Sequence, residues 1–399
     1  MLGGLARGTT TIRHLSPGAD VAATVACLRA LGVPIDVDSS GTVRVHGVGM
    51  AGLRAASEVL DALNSGTTLR LMAGILAAQP FRSTLTGDAS LRRRPMRRVI
   101  DPLTAMGARI ESSDGRAPLV IEGGQLSGIS WESPVASAQV KSAILLAGLR
   151  ASGRTTVTEP MPTRDHTERA FPAFGLSITI DGLSCSVDGG QQPVAPRDLL
   201  TVPGDPSSAA VWAAAAAGLP GSSVQLDGVC LNARRLGFVR ALERMGARVV
   251  CDQQDEVAGE PVGSLRVAHG AHRDAVIRAE EVPSLIDELP VLAARAALGG
   301  SLDVSGAAEL RHKESDRITA LVNGFRALGV SAEEREDGFV IDGHRKPTGG
   351  TASAEGDHRL VMAFALVALG ATGPSVVTGA EAVAVSYPAF EADLARLAR

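Results

Sequence analysis

The chain has 399 residues, 45% of them hydrophobic, enough to bury a large core and to divide into two domains. A net charge of −4 and a pI of about 6.1 give no global basic field for nucleic acid, and aromatics at 3% leave little with which to stack bases. Cys27, Cys185, Cys230 and Cys251 lie far apart with no CxxC, so neither a disulfide framework nor a zinc site is indicated, and the most apolar stretch, Ala209 to Leu219, is too short to span a bilayer. Met1 begins no signal segment, and a cytoplasmic protein without membrane or nucleic-acid partners is expected.

In chain order, one pattern recurs six times. A helix of small apolar residues ends at a glycine, a Thr/Ser/Val strand follows, and a polar segment comes next. The helices read Met1–Ala6, Leu69–Ala78, Ser142–Ala151, Ser208–Gly218, Leu289–Leu298 and Leu360–Leu369. Their strands include Thr9–Ile12, Ser83–Thr86, Thr155–Thr158, Ser222–Gln225, Ser301–Val304 and Ser375–Thr378. A second helix follows in most copies and ends in a common phrase: Leu31-Gly-Val, Met106-Gly-Ala, Phe174-Gly-Leu, Met245-Gly-Ala and Leu328-Gly-Val. Glycine suits a helix C-terminus because it turns left-handed at little cost. Two short alternating strands come after it, such as Ile35–Val37 with Thr42–His46. The unit is roughly 65 to 80 residues, longer than the usual solenoid period. It reads as βαβαββ, and six copies suit two lobes of three, residues 1–203 and 204–399. Met1 falls inside the first helix, so the first copy is incomplete.

Small polar loops precede five of the apolar helices: Asn64–Thr68, Ser137–Gln139, Gly204–Ser208, Ser284–Glu288 and Glu355–Arg359. Helix N-termini leave free N–H groups and favour anions. Each loop alone is an ordinary N-cap. Five in register predict a shared anion-binding site. Arg70, at the start of an otherwise apolar helix, needs a buried partner, which favours a ligand. Of Arg92 to Arg98, most must be solvated, with one member pointing inward. Asp287-Glu288 reads either as a helix cap or as carboxylates holding a base near a hydroxyl. His358 orients rather than ligates, since no other histidine stands at metal spacing. Gly47 to Gly52 fits G-x-G-x-x-G, but no acidic residue follows at the required distance, and it reads as a loop.

The densest stretch is Glu309 to Arg317. Lys313 is one of three lysines, with Lys141 and Lys346, beside 36 arginines. If Ser315 or Asp316 caps the next helix, Arg317 lies in its first turn, and Lys313 and Arg317 converge on one anion with Glu314 beside them to carry a proton. The alternative for this segment alone is a solvated capping box.

Leu310-Arg-His-Lys-Glu-Ser-Asp-Arg317, Asn64-Ser-Gly-Thr-Thr-Leu-Arg70, Arg94-Pro-Met96, Ser137-Ala-Gln139, Leu285-Ile-Asp-Glu-Leu-Pro290 and Asp357-His-Arg359 together resemble the 5-enolpyruvylshikimate-3-phosphate synthase family, in that family's order and over essentially the whole chain. The resemblance implies an α/β fold, a two-lobed inside-out α/β barrel of six βαβαββ units that closes on its substrates. It implies transfer of the enolpyruvyl group of phosphoenolpyruvate to the 5-hydroxyl of shikimate 3-phosphate, releasing phosphate, by a monomer with no metal or organic cofactor. By position, Asp287 takes the hydroxyl proton, Glu314 delivers a proton to the methylene carbon, and Lys313 lies beside the reacting oxygen. Gly66, Arg94, Gln139, Arg317 and Arg359 would hold phosphoenolpyruvate, with Arg70 in support. Ser137, Ala138, Gln139, Asp287 and Lys313 would hold shikimate 3-phosphate, with Arg164 as a phosphate contact. Glyphosate, the family's inhibitor, would compete with phosphoenolpyruvate.

Some residues depart from that pattern. Leu63 stands where the family usually has glycine, Thr163 where serine is commoner, and Ser386 where some branches have lysine. The family's opening Pro-Gly-Asp-Lys-Ser-x-Ser-His-Arg does not precede the first helix, which predicts that the chain as written folds marginally, with unpaired sheet edges, and turns over little. Two rival readings follow: a truncated, non-catalytic protein that binds shikimate 3-phosphate, and the sister transferase acting on UDP-N-acetylglucosamine. The latter carries a loop cysteine and lacks Lys-Glu-Ser-Asp-Arg.

Overall fold

The computed structural model describes residues 1–398. The chain packs into two compact units, Met1–Val202 with Val257–Glu260, and Pro203–Glu256 with Pro261–Arg399. The first unit begins with α1 (Leu2–Leu5), β1 (Arg7–Arg13), α2 (Ala19–Ala30), β2 (Ile35–Val37) and β3 (Val43–Val48). A second repeat gives β4 (Leu60–Asp61), α3 (Gly66–Ala77), β5 (Arg82–Thr86), α4 (Ala89–Arg93), α5 (Arg97–Ala105), β6 (Arg109–Ser113) and β7 (Arg116–Glu122). The third gives β8 (Ser130–Glu132), α6 (Ala138–Gly148), β9 (Arg154–Thr158), α7 (His166–Ala173), β10 (Thr179–Asp181) and β11 (Ser184–Asp188), after which comes β12 (Leu200–Thr201).

The second and third repeats have one topology, β4-β5-β7-β6 and β8-β9-β11-β10, each with a parallel leading pair and an antiparallel hairpin. In the first repeat the order is β12-β1-β3-β2. Here β12 takes the leading strand's place, with Ile12 opposite Leu200 and Arg13 opposite Thr201. The expected unpaired edge beside β1 is therefore absent, because β1 has a strand on each side.

The second unit carries α8 (Pro206–Gly218), β13 (Ser223–Cys230), α9 (Gly237–Arg244), β14 (Arg248–Val257) and β15 (Glu260–Ala268). Next are β16 (Ala275–Ile277), α10 (Leu289–Ala297), β17 (Ser301–Val304), α11 (Arg317–Ala327), β18 (Ser331–Arg335) and β19 (Gly338–Asp342), in the order β16-β17-β19-β18. The last elements are β20 (Gly350–Ser353), α12 (His358–Leu369), β21 (Ser375–Thr378) and α13 (Phe390–Leu397). The fourth repeat reduces its leading strand to a single bridge, Gly204 to Val229. The sixth differs from the expected βαβαββ: β20 and β21 pair alone, and no hairpin follows among the described residues. The segment after β21 lacks alternation. Phe390, Leu394 and Leu397 recur instead at helical spacing, and Phe390 stacks on Trp212 with ring centroids 5.7 Å apart.

The five phrase glycines, Gly32, Gly107, Gly175, Gly246 and Gly329, all adopt positive φ between 70° and 112°. Each ends its helix as the sequence predicts. The apolar helices form the interior of each unit, α3 and α6 in one, α8, α10 and α12 in the other. Helices apolar on all sides belong in a core. Strands lie outside them with alternate residues buried, as on β5, β9 and β17. Backbones approach closely where α3 meets α6: a Cβ on Gly74 would sit 2.2 Å from the Ala143 carbonyl oxygen. Four of these helices start earlier than expected, α3 at Gly66, α6 at Ala138, α8 at Pro206 and α12 at His358, so several residues read as loop lie in a first helical turn.

Candidate functional site

In the first unit, Ser65 caps α3 by accepting the Thr68 N–H at 3.1 Å, and Gly66 follows in the first turn. One turn on, the buried Arg70 donates from Nη1 to Gln139 Oε1 at 2.6 Å. Gln139 lies in the first turn of α6, behind the cap Ser137 and Ala138, and its Nε2 donates to Thr67 Oγ1 at 2.7 Å. The starts of α3 and α6 are thus laced side chain to side chain. Arg94 is the inward member of the arginine run, buried and donating to Asn64 Oδ1 at 2.9 Å, while Arg92, Arg93 and Arg97 are exposed. Both guanidinium groups overhang Gly66: an added Cβ there would meet Arg70 Nη1 at 2.7 Å and Arg94 Nη1 at 3.2 Å. Two arginines above a helix N-terminus form an anion cradle. Leu63, just before this loop, holds a left-handed φ of 51°, which is the conformation glycine would take without strain.

Arg164 sits in a separate segment of the same unit, half-buried between buried Thr163 and Asp165, immediately before α7. This segment is anchored from within. Lys141 of α6, fully buried, lies 2.6 Å from Glu159 and 2.7 Å from Glu168, and the Thr163 hydroxyl donates to Glu159. Burial alone would push the Lys141 pKa down, but the Glu168 and Glu159 carboxylates overcome it and hold the ammonium above its ordinary value. The sequence signal for this cluster was a lone lysine immediately before the apolar run Ser142–Ala151.

In the second unit, Asp287 is ringed by cations. Its Oδ1 lies 3.3 Å from Lys313 Nζ and 3.8 Å from Arg317 Nη1, and its Oδ2 lies 3.9 Å from Arg359 Nη2. Arg359 also donates to the Asp287 main-chain carbonyl at 2.9 Å. Arg317 is fully buried and grips Asp357 twice, Nε to Oδ2 at 2.8 Å and Nη2 to Oδ1 at 3.2 Å, while Nη2 also donates to Glu314. Burial opposes its charge, but Asp357 and Glu314 more than offset that, and its pKa is raised. Arg317 thereby connects both candidate proton carriers, Asp287 and Glu314.

The elements that present these residues follow from the local sequence. Asp316, one of the two expected caps, caps α11 by accepting the Thr319 N–H, and Arg311 holds that cap at 2.8 Å while donating to the Arg335 and Glu336 carbonyls at 2.7 Å each. Asp357 caps α12 through the Arg359 N–H at 2.9 Å. His358 is buried, and burial followed by Arg359 pushes its pKa down to about 4. It is therefore uncharged at neutral pH and leaves the charge balance to its neighbours.

Of the adjacent pair Asp287-Glu288, only Asp287 joins this cluster. Glu288, 1% exposed, accepts from the Ser207 hydroxyl and lies 3.7 Å from Arg235, which bonds Asp205, the cap of α8, at 3.1 Å. Among the described residues, no group of three or more His, Cys, Asp and Glu side chains is placed to hold a metal ion. Such clusters of cations on helix starts suit a substrate carrying phosphate or carboxylate groups, with two carboxylates available for proton transfer.

The family model described as EPSP synthase (3-phosphoshikimate 1-carboxyvinyltransferase) matches residues 1–394. The chain belongs to the EPSP synthase family. A 3-phosphoshikimate 1-carboxyvinyltransferase from Halorhodospira halophila is 51% identical over 400 residues, spanning 100% of this chain and 90% of that protein. One from Acidithiobacillus ferrooxidans (strain ATCC 53993 / BNL-5-31) is 49% identical over 393 residues, spanning 98% and 90%. Among solved structures, an EPSP synthase from Acinetobacter baumannii aligns with a TM-score of 0.86 at 42% identity, covering 100% of this chain and 92% of that one. The enolpyruvyl transferase NikO from Streptomyces tendae aligns with a TM-score of 0.78 at 17% identity, covering 99% and 90%, and shares the fold. No helix among the described residues is long and apolar enough to cross a membrane.

Proposed function

We propose that this protein transfers the enolpyruvyl group of phosphoenolpyruvate to the 5-hydroxyl of shikimate 3-phosphate, releasing phosphate on the route to chorismate. Membership of the EPSP synthase family supports the reaction, and the observation that carries the residue roles is Asp287 ringed by Lys313, Arg317 and Arg359. Asp287 takes the proton of the 5-hydroxyl as its oxygen attacks C2 of phosphoenolpyruvate. Glu314 gives a proton to C3, so the addition product carries a methyl group. In the second half, a methyl proton leaves, the C–O bond to phosphate breaks, and the enol double bond reforms. Lys313 steadies the reacting oxygen.

In the first unit, Gly66, Arg70, Arg94 and Gln139 serve the phosphoenolpyruvate anion, and in the second unit Arg317 and Arg359 do. Shikimate 3-phosphate is assigned to Ser137, Ala138, Gln139 and Arg164 of the first unit and to Asp287 and Lys313 of the second. Preorganised cations stabilise charge that develops on the departing phosphate. We place the protein in the cytoplasm and take it to act as a monomer. The test is phosphate release, which is expected only when both substrates are present. Titration calorimetry of shikimate 3-phosphate alone checks binding separately. No phosphate release from a folded protein that binds both substrates would overturn the catalytic reading.

A further inference from the structure

We propose that the buried chain Lys141–Glu159–Thr163 is a positioning device for Arg164, and through it for the phosphate of the hydroxyl-bearing substrate. The inference rests on the function proposed above, which makes Arg164 a phosphate contact. Its own grounds are geometric. Lys141 projects from the first turns of α6, two residues after Gln139, and is fully buried. A buried lysine is tolerated only when its charge is met, and Glu159 at 2.6 Å and Glu168 at 2.7 Å meet it. Glu159 lies just past β9, and its second oxygen accepts the Thr163 hydroxyl. Thr163 is 5% exposed and directly precedes Arg164.

Glu168 belongs to α7, whose start follows Arg164, and the Ser142 hydroxyl lies 2.6 Å from that of Thr167. The segment bearing Arg164 is therefore fixed to α6 on both flanks. The same helix carries Ser137 to Gln139 at its start, so one lysine sets the spacing of two segments assigned to a single substrate. A core needing only cohesion would fill this place with leucine at lower desolvation cost. An ionic chain ending beside a half-buried arginine has directional content that leucine lacks.

The experiment uses the full chain and steady-state kinetics with each substrate varied. Thr163→Val removes the hydroxyl that ties the segment to Glu159 while keeping its volume. It is expected to raise the KM for shikimate 3-phosphate about tenfold, since a hydrogen bond to a charged group is at stake. The KM for phosphoenolpyruvate and kcat should stay within about twofold, and Thr163→Ser should restore the parent value. Should Thr163→Val fold poorly, Thr163→Ala removes the same hydroxyl with no added methyl and is read the same way. A parent-like KM in a folded variant, or parallel loss of all constants with thermal stability, overturns the inference and marks the cluster as mere scaffolding. Arg164→Ala separates the two readings. If it leaves the shikimate 3-phosphate KM unchanged in an active enzyme, the inference falls while the proposed reaction stands. If the parent neither binds shikimate 3-phosphate by calorimetry nor releases phosphate, both fall.

Discussion

Gly66→Ala is the smallest change that reaches the anion cradle of the first unit. The new methyl would sit 2.7 Å from Arg70 Nη1, against ordinary contact from 3.4 Å, so that nitrogen must retreat by about 0.7 Å. Arg94 Nη1, at 3.2 Å, must give a few tenths of an ångström. Both atoms are ends of flexible side chains, so the fold should survive with little loss of stability. The retreat strains the Arg70 bond to Gln139, now 2.6 Å, and with it the link that holds Gln139 on Thr67. A hydrogen bond to a charged group is worth about 1.5–3 kcal/mol, or roughly 10- to 150-fold in affinity. The expected result is a KM for phosphoenolpyruvate raised about 10- to 100-fold, a smaller change in kcat, and a thermal midpoint close to the parent. Glyphosate should lose affinity in the same variant. Steady-state kinetics with calorimetric titration of each ligand measure all of this. A KM within twofold of the parent would refute the placement of the phosphoenolpyruvate anion over Gly66.

Asp287→Asn and Glu314→Gln should each lower kcat by about 100-fold or more while ligand titrations change little; turnover at the parent rate would remove either residue from its role. Arg317→Met leaves Asp357 buried without its bidentate partner, and about 3–5 kcal/mol of unfolding free energy should disappear in urea titration. His358 has its pKa lowered from 6.5 to about 4 on folding, so the unfolded chain holds more protons between those values and stability falls as pH drops through that window, by up to about 3 kcal/mol. His358→Gln should flatten that acid limb, and an unchanged limb would assign it to other groups. Leu63→Gly relieves a left-handed residue worth about 1–2 kcal/mol of strain, less about 0.5–1 for glycine's greater unfolded freedom, so a net gain of about 0–1.5 kcal/mol is expected. A loss of stability would show that the Leu63 side chain contributes contacts.

The repeat was legible because its punctuation is chemical. A glycine after each second helix marks a left-handed turn, and all five phrase glycines take one. Helix starts were harder to read. Gly66, Thr67 and Thr68 are neither apolar nor periodic, so α3 seemed to begin at Leu69, yet the cap Ser65 sets its start three residues earlier. First turns are where N–H groups stay free for ligands, and their polarity is what hides them from a hydrophobic pattern. The missing hairpin of the sixth repeat was hidden for a different reason. Ser375–Thr378 resembles the other second strands, and nothing in it signals that the chain beyond will coil instead of alternate.

The site residues illustrate the same boundary between pattern and geometry. Asp287 and Glu288 are chemically alike and adjacent, and no one-dimensional rule assigns one to solvent-facing chemistry and the other to the core. Both precede α10, Asp287 in the turn and Glu288 at the N-cap, so two neighbours of identical charge serve different environments. Asp287 turns to Lys313, Arg317 and Arg359, and Glu288 turns to Ser207 and Arg235. What separates them is the set of cations each can reach, contributed by segments 26 to 72 residues away in sequence. Lys141 was hidden by the converse effect: its neighbours on α6 are apolar, and its two carboxylates lie 18 and 27 residues further along the chain. A buried charge is specified by its partners, and those become visible only when the chain has folded back on itself.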